Sequence, residues 1–334
     1  MSSDFVEGLL GKKHSYDVVS PSDFKDGHGS GLSVKVVLPS YCQARCPFCF
    51  NNLTTETQQH NYAYFFKNLI DSLNLIFKNI NDRPISIDIT GNEPTFDTEV
   101  FKKFMAIISE YKPFISKVVL TTNGFRLGEV IGSMKGVVDI VNISLHHYDY
   151  NERRQIFGTN RIPSNEELKE LVSRLHNNGI TATAVSVLYK DLGNFRDYCD
   201  KFKDMAIETG FKDVRMRSNF CANDEFIYEI LRTDFNNDSI NIVGGLVTKI
   251  ITDKKTGFQT YILKGVPDLT EYVVGAELVI DDDGLCYVDY NKRYPVNDGN
   301  IRNFNNMYIF NDQPLDKKLQ LLKRRITTTE IKTK

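Results

Sequence analysis

Three cysteines fall within eight residues of the sequence. They are Cys42, Cys46 and Cys49 in the stretch YCQARCPFCF, and their spacing is CxxxCxxC. Three thiolates on one loop can hold three corners of an iron–sulfur cluster or three positions of a tetrahedral zinc site. A cluster held by three cysteines leaves one iron without a protein ligand, where a substrate or cofactor can bind. The zinc alternative takes His60 as its fourth ligand.

The elements around the cysteines are a strand and a helix. The β-branched run LSVKVVLP at 32–39 precedes them, and apolar residues at helical spacing follow between 66 and 80. The same alternation recurs, with strands predicted at 85–90, 117–122, 139–145, 180–188 and 213–219, and with helices between them. Such alternation implies a parallel sheet with right-handed crossovers. Six units are too few for a closed barrel, so the prediction is an α/β fold, a partial (β/α)6 TIM-like barrel.

The chain divides into three predicted parts. Residues 1–30 lack periodicity and are expected to form an irregular N-terminal extension, and residues 31–222 are expected to form the barrel. Residues 223–334 contain strand-like runs separated by Gly and Asp turns, followed by an amphipathic helix around Leu319, Leu321 and Leu322 and by a polar tail. We therefore predict a C-terminal β-rich cap and a tail helix.

The composition is that of an ordinary globular protein. Hydrophobic residues make up 41% and charged residues 25%, which excludes disordered, collagen-like and coiled-coil chains. The 41 Lys and Arg residues against 43 Asp and Glu give a net charge of −2, so no nucleic-acid polymer is expected as a partner. No apolar run approaches the roughly 18 residues that span a bilayer, and the first residues lack a signal-peptide pattern. We expect a cytoplasmic protein with no membrane contact.

A second motif follows the second predicted strand. Gly91, Asn92, Glu93 and Pro94 occupy the same relative place on the second unit as the cysteines on the first. In this respect the sequence resembles the radical S-adenosylmethionine (SAM) superfamily, whose signature is CxxxCxxC after the first strand and a GGEP-like motif after the second. Asn92 replaces the usual second glycine. Because Asn tolerates a left-handed backbone, the turn is expected to survive.

The resemblance implies two cofactors and a reaction. Cys42, Cys46 and Cys49 would ligate one [4Fe-4S] cluster, whose fourth iron would be chelated by SAM. Phe48 would lie beside the adenine, and Gly91, Asn92 and Glu93 would receive the SAM amino group. An electron from a reductant such as flavodoxin or ferredoxin would cleave SAM to a 5′-deoxyadenosyl radical, which abstracts hydrogen from a substrate.

Strand alternation predicts a polar lumen. If the isoleucines of 85–89 face the helices, then Ser86, Asp88 and Thr90 face inward, and the strands at 139–145 and 213–219 also present polar inner faces. A filled barrel core would be apolar, so the lumen is expected to hold polar ligands. By resemblance, SAM contacts are expected at the strand ends; the alternative for each hydroxyl residue is turn capping. These candidates are Thr122, Asn123, Ser144 and Ser186.

Three further residues are candidates for the substrate pocket. His146 points inward by strand phase and is a candidate substrate contact or proton donor; the alternative is a loop histidine. Arg215 and Arg217 also point inward and would suit a phosphate or carboxylate on the substrate or on SAM; the alternative is an ion pair with Asp88 or another inward acid. Arg153, by contrast, is expected at the surface.

The core is most similar to the GTP 3′,8-cyclase-like branch of the superfamily, through LTTNG (120–124) and NISLHHYDYNERRQIFG (142–158). That branch has three clustered C-terminal cysteines and a Gly-Gly tail, which this chain lacks. Cys199, Cys221 and Cys286 are scattered and are expected to be buried structural residues rather than ligands of a second cluster. The leading hypothesis is a radical SAM enzyme acting on a small polar substrate, a nucleotide or sugar, in a biosynthetic pathway. The alternatives are modification of a ribosomal peptide and a non-enzymatic zinc-binding structural or interaction protein.

Overall fold

The computed structural model describes residues 16–18, 32–49, 60–79, 84–189, 194–218, 225–233, 235, 238–243, 246–265 and 276–287. The predicted tail helix and Cys221 lie outside these residues.

Strands and helices alternate along most of this part of the chain. The strands are β1 (Tyr16–Val18), β2 (Leu32–Val37), β3 (Ile85–Thr90), β4 (Ile115–Thr122), β5 (Ile140–Ser144), β6 (Thr181–Leu188), β7 (Asp213–Ser218), β8 (Asp238–Val243), β9 (Leu246–Thr252), β10 (Gln259–Gly265), β11 (Ala276–Ile280) and β12 (Cys286–Tyr287). The helices are α1 (Tyr62–Asn79), α2 (Thr98–Tyr111), α3 (Ile131–Met134), α4 (Tyr150–Phe157), α5 (Asn165–Asn177), α6 (Phe195–Thr209) and α7 (Glu225–Arg232). The predicted βα units are all present.

The strands from β2 to β7 lie side by side in chain order, and each is parallel to its neighbours. The prediction of a partial parallel barrel is therefore confirmed. The predicted C-terminal strands are also present, and they extend the barrel sheet at both edges. β10 pairs parallel to β7, and β11 pairs parallel to β2, so eight parallel strands lie in a row.

Four elements were not predicted, namely β1, α4, α7 and β8. β1 lies within the stretch expected to be irregular and pairs parallel with β8; three residues are too few to give a periodic signal. α4 begins after Asp149, whose carboxylate accepts from the backbone N–H groups of Asn151 and Glu152. Its sequence YNERRQIF is mostly polar, so the helical stripe that marks the other helices is missing.

The strand phase places the core between the sheet and the helices. Ile85, Ile87 and Ile89 of β3 are at most 1% exposed and belong to the hydrophobic core. The intervening residues of the same strand are polar and lie on the opposite face. On the helix side, α5 begins with a capping box, in which the Ser164 hydroxyl and the Glu167 carboxylate each accept from the other residue's backbone N–H. The second face of the sheet is thereby left to line the lumen.

Candidate active site at the carboxyl ends of the strands

The cysteine loop and the Gly-Asn-Glu motif meet where β2 and β3 end. The Asn92 Nδ2 donates to the Ser40 carbonyl at 2.7 Å, and the Glu93 backbone N donates to the Tyr41 carbonyl at 3.1 Å. Because β2 and β3 are parallel neighbours, the two loops leave the same edge of the sheet. The structure thus brings the two sequence motifs together through direct hydrogen bonds.

Gly91, and not Asn92, has the left-handed backbone of this turn. Its φ is +110°, and a Cβ at this position would lie 2.7 Å from the Cγ1 of Val37. Only glycine fits such a close approach without displacement. The expected reason for accepting Asn92 is therefore wrong: its φ is not positive, and its side chain instead tethers the cysteine loop.

Glu93 is buried and joins the ends of β3 and β4. Its Oε1 accepts from the backbone N of Thr95 at 3.1 Å and from the Thr122 hydroxyl at 2.5 Å, and its Oε2 accepts from the backbone N of Asn123 at 2.7 Å. Burial raises the pKa of Glu93, while these hydrogen bonds act in the opposite direction. Glu93 and Thr122 therefore hold the loops together, and their contacts with SAM stay predictions.

Asn123 connects this network to the cysteines. Its Nδ2 lies 3.7 Å from the Cys42 sulfur, and its Oδ1 accepts from the Nε2 of Gln43 at 2.9 Å. Gln43 also donates to the Arg161 carbonyl at 3.0 Å. Sequence reasoning missed Gln43, because a glutamine between two cysteines carries no pattern of its own. The contact with Cys42 places Asn123 at the predicted cluster site.

The three thiols share one loop and act on one another. Burial raises the pKa of Cys42 to about 11 and that of Cys46 to about 12, and repulsion from Cys49 contributes to both shifts. A bound cationic iron would reverse this effect, because it favours the thiolates. The donor set is thus that of a thiolate-ligated centre.

The predicted ligands of the zinc alternative have the following surroundings. Within the described ranges, no group of three or more His, Cys, Asp or Glu side chains gathers around one point to hold a metal. His60, the fourth ligand of the zinc alternative, contacts the rings of Tyr41 and Tyr62 at centroid distances of 5.0 and 6.3 Å. A cubane cluster takes each cysteine at a different iron, whereas the zinc alternative needs His60 beside the three cysteines.

Phe48 packs against His146. Their ring centroids are 4.8 Å apart in an edge-to-face contact, and Tyr189 lies 4.6 Å from Phe48 on another side. His146 is 6% exposed, has φ +64°, and its Nδ1 accepts from the Val187 backbone N at 3.1 Å. Burial lowers the pKa of His146 to about 3. Because Nδ1 accepts a hydrogen bond, the neutral imidazole carries its proton on Nε2, from which it can donate a hydrogen bond.

The two predicted serines lie on opposite faces of the sheet. Ser144 has the lumen-facing phase of β5, as predicted. Ser186 lies between two lumen-facing positions of β6 and therefore has the opposite phase. Its register partner on β7, Met216, belongs to the core. Its hydroxyl lies 3.3 Å from the Tyr198 hydroxyl of α6. The expectation that Ser186 reaches the cofactor is corrected, because its residue parity turns it toward the helices.

Charges in the lumen are paired, with one exception. Lys35 forms an ion pair with Asp88, and the Arg215 Nε lies 3.2 Å from the Asp213 Oδ1. Arg217 is exposed, and within the part of the chain that the structure describes no hydrogen bond or ion pair holds it. Partial desolvation by neighbouring protein atoms lowers the pKa of Arg217, as does the Arg215 charge, while Asp88 raises it. The ion-pair alternative is thus observed for Arg215, with Asp213, and not for Arg217.

Arg153 was expected at the surface, but it is 1% exposed. Its guanidinium donates to the Asn165 Oδ1 at 2.7 Å and so links α4 to the start of α5. At the end of α4, the Phe157 carbonyl accepts from the backbone N of Arg45 in the cysteine loop at 2.7 Å. Arg153 therefore anchors the helix that supports the cysteine loop.

The two described cysteines outside the loop do not meet. Cys199 is buried on α6, and Cys286 is buried on β12. Burial raises both pKa values to about 12. β12 lies at one end of the sheet, whereas Cys199 hydrogen-bonds to Thr260 of β10 beyond β7, on the other side of the barrel strands. A second cluster shared by these two cysteines is therefore not formed.

Comparison with known proteins finds a matching family profile. The Radical SAM superfamily profile matches residues 36–196. The GTP 3′,8-cyclase of Pasteurella multocida (strain Pm70) is 25% identical over 189 residues, 54% of this chain and 52% of that protein. The GTP 3′,8-cyclase of Nautilia profundicola (strain ATCC BAA-1463 / DSM 18972 / AmH) is 32% identical over 116 residues, 34% of each chain. The chain thus spans about half, or less, of the length of these relatives.

The fold is also found in a solved structure. The crystal structure of Streptococcus suis SuiB bound to S-adenosylmethionine matches with a TM-score of 0.55 and 16% identity, over 80% of this chain and 63% of that one. Among the described helices, none combines the length and apolar character needed to cross a membrane. Residues 36–196 therefore form a radical SAM domain, the family that the two motifs predict.

Proposed function

We propose that this chain is a radical SAM enzyme that acts on a small anionic substrate, a nucleotide or a sugar phosphate. The observation that carries the proposal is the hydrogen-bonded junction between the cysteine loop and the Gly-Asn-Glu turn. It joins the predicted cluster ligands to the predicted SAM site at the edge of the sheet where barrel enzymes hold their active sites.

Each residue of the cofactor side has a proposed task. Cys42, Cys46 and Cys49 would hold one [4Fe-4S] cluster, and the Gly91–Asn92 turn would receive the amino group of SAM. When bound, the cluster and SAM supply a carbon radical that abstracts hydrogen from the substrate. Phe48 would offer an apolar face to the adenine, and His146 would hold the Phe48 ring in place through their edge-to-face contact.

The charges of the lumen favour an anionic substrate. The Lys35–Asp88 and Arg215–Asp213 pairs are neutral overall, which leaves the charge of Arg217 without a counterion among the described residues. A planar guanidinium is well suited to a phosphate, with which it makes two parallel hydrogen bonds. The names of the GTP 3′,8-cyclase relatives agree with a nucleotide.

The proposal also includes the surroundings that this chemistry requires. A low-potential electron donor such as flavodoxin or ferredoxin would reduce the cluster. A reducing compartment such as the cytoplasm would keep the clustered thiols from forming disulfides.

The experiment is anaerobic reconstitution with iron and sulfide, reduction with dithionite, addition of SAM, and chromatography for 5′-deoxyadenosine. We expect product and about four irons per chain. Cys46→Ala should abolish both, whereas the matched variant Cys199→Ala should preserve both, because Cys199 lies on α6 and away from the cysteine loop. Absence of product from a loaded and reduced wild-type chain, with and without nucleotides, would contradict the proposal.

A further inference from the structure

A row of polar side chains crosses the lumen below the strand ends. In register, Thr121 of β4 pairs with Asn142 of β5, and Asn142 pairs with Thr183 of β6. The residues that flank Asn142 and Thr183 along their strands belong to the hydrophobic core on the helix side, so these two side chains face the lumen. Asn142 is 5% exposed and Thr183 is fully buried.

Two neighbouring atoms of this row have no hydrogen-bond partner. They are the Oδ1 of Asn142 and the Oγ1 of Thr183, which belong to directly opposed residues on adjacent strands. A buried polar atom left unpaired costs about 1–3 kcal/mol, and most such atoms in proteins are paired. Two orphaned atoms on opposed residues therefore point to a partner that enters from the lumen.

The chemistry of the two atoms defines that partner. The Asn142 Oδ1 can only accept a hydrogen bond, and the Thr183 hydroxyl is free to donate one. Together they match a group in which an N–H stands next to an acceptor, as on the edge of every nucleobase. An apolar group would leave both atoms unsatisfied.

The position of Arg217 gives the length of the ligand. Val187 of β6 pairs in register with Arg217, and Thr183 lies four residues earlier on the same strand. At about 3.3 Å per residue, the row and the Arg217 backbone are roughly 13 Å apart along the strand. This separation suits a ligand with a hydrogen-bonding ring at one end and an anion at the other.

We propose that Asn142 and Thr183 form the base-recognition floor of the lumen and determine which nucleotide binds, while Arg217 holds its phosphate. This inference rests on the proposed function and adds the residues that read the base. Without a ligand, the Asn142 Oδ1 and the Thr183 Oγ1 have no hydrogen-bond partner. A bound base would supply these hydrogen bonds.

The test is the variant Thr183→Val, which removes the hydroxyl at nearly constant volume. Thermal unfolding is measured without ligand and with ATP, GTP, CTP or UTP. The matched control is Thr209→Val on α6, another buried threonine, whose hydroxyl donates to the Met205 carbonyl at 2.7 Å. Asn142→Leu is a second variant of the floor, and it replaces Thr183→Val if that variant fails to fold.

The expected changes have opposite signs. Thr183→Val should raise the unfolding temperature of the empty chain by about 2 °C, because an unpaired hydroxyl is removed, whereas Thr209→Val should lower it. Thr183→Val should also lower the affinity for the preferred nucleotide about tenfold, and Thr209→Val should leave this affinity unchanged.

Three outcomes would overturn the inference. A fall in unfolding temperature for Thr183→Val would mean that a structural water satisfies the hydroxyl. Unchanged nucleotide affinity would show that the floor does not contact the base. If no nucleotide stabilises the wild-type chain, a nucleotide is the wrong ligand, although 5′-deoxyadenosine formation would still support the proposed radical chemistry.

Discussion

The cysteine side of the lumen rim, at the ends of β2 to β4, differs from the arginine side, on β6 and β7, in how its polar groups are satisfied. On the cysteine side, Glu93 accepts hydrogen bonds on both oxygens and Asn123 joins three residues. On the arginine side, Arg217 has no described partner and Thr183 is orphaned. The difference indicates that the cofactor side is assembled by folding, whereas the substrate side is completed by its ligand.

Glu93→Gln would break the cofactor side most severely. The amide places an N–H donor among groups that donate, namely the backbone N–H groups of Thr95 and Asn123 and the Thr122 hydroxyl. We expect a loss of about 2–4 kcal/mol in the free energy of unfolding, measured by urea denaturation. The matched variant is Glu99→Gln on α2, where an exposed i,i+3 pair with Lys102 is lost at a cost below about 0.5 kcal/mol. Equal losses in the two variants would refute the proposed difference.

Arg217→Ala would test the substrate side with an effect on binding rather than on folding. Loss of a charged hydrogen-bond donor should weaken nucleotide binding about 10- to 100-fold, with little change in stability. Arg215→Ala should instead lower stability, because it leaves the buried Asp213 carboxylate without its ion pair. Nucleotide titration and urea denaturation measure the two effects. Loss of SAM affinity in Arg217→Ala would mean that Arg217 binds the cofactor and not the substrate.

His146 gives the smallest effect, a pH dependence of stability. Its pKa is lowered to about 3 in the folded chain, while an unfolded histidine titrates near 6.5. Between these values the unfolded state binds one more proton, so stability falls as pH falls below about 6.5, by up to about 1.4 kcal/mol per pH unit.

The variant His146→Asn should remove this part of the slope, because Asn does not titrate and tolerates the positive φ of this position. Urea denaturation between pH 5 and 7 measures the slope. An unaltered slope in His146→Asn would mean that His146 binds protons equally in the folded and the unfolded chain.

The sequence predicts the fold well because each barrel unit carries its own periodic signal. Strand β3 was predicted with the bounds at which it occurs, Ile85–Thr90. α4 was missed, because its burial depends on Arg153, a polar residue that reaches its partners only after α5 has packed nearby. Local patterns do not contain such long-range contacts.

Within the candidate site, motifs predicted proximity but not the details of the contacts. The cysteine loop and the Gly-Asn-Glu turn meet as expected, yet the roles of Gly91 and Asn92 differ from the expected ones. Strand parity predicted the lumen side correctly for Arg217. For Ser186, the position at the strand end predicts a contact with the cofactor, whereas strand parity places the residue on the helix side.

The outer strands of the parallel row have a consequence for biosynthesis. β11 pairs with β2 through Ala276 and Leu32, and β10 closes the other edge beside β7. While the ribosome is still making the C-terminal part, the six-stranded intermediate exposes two unpaired edges that can template aggregation. Such distant pairing also slows folding. Chaperone dependence is therefore expected to end only when residues 276–280 have emerged.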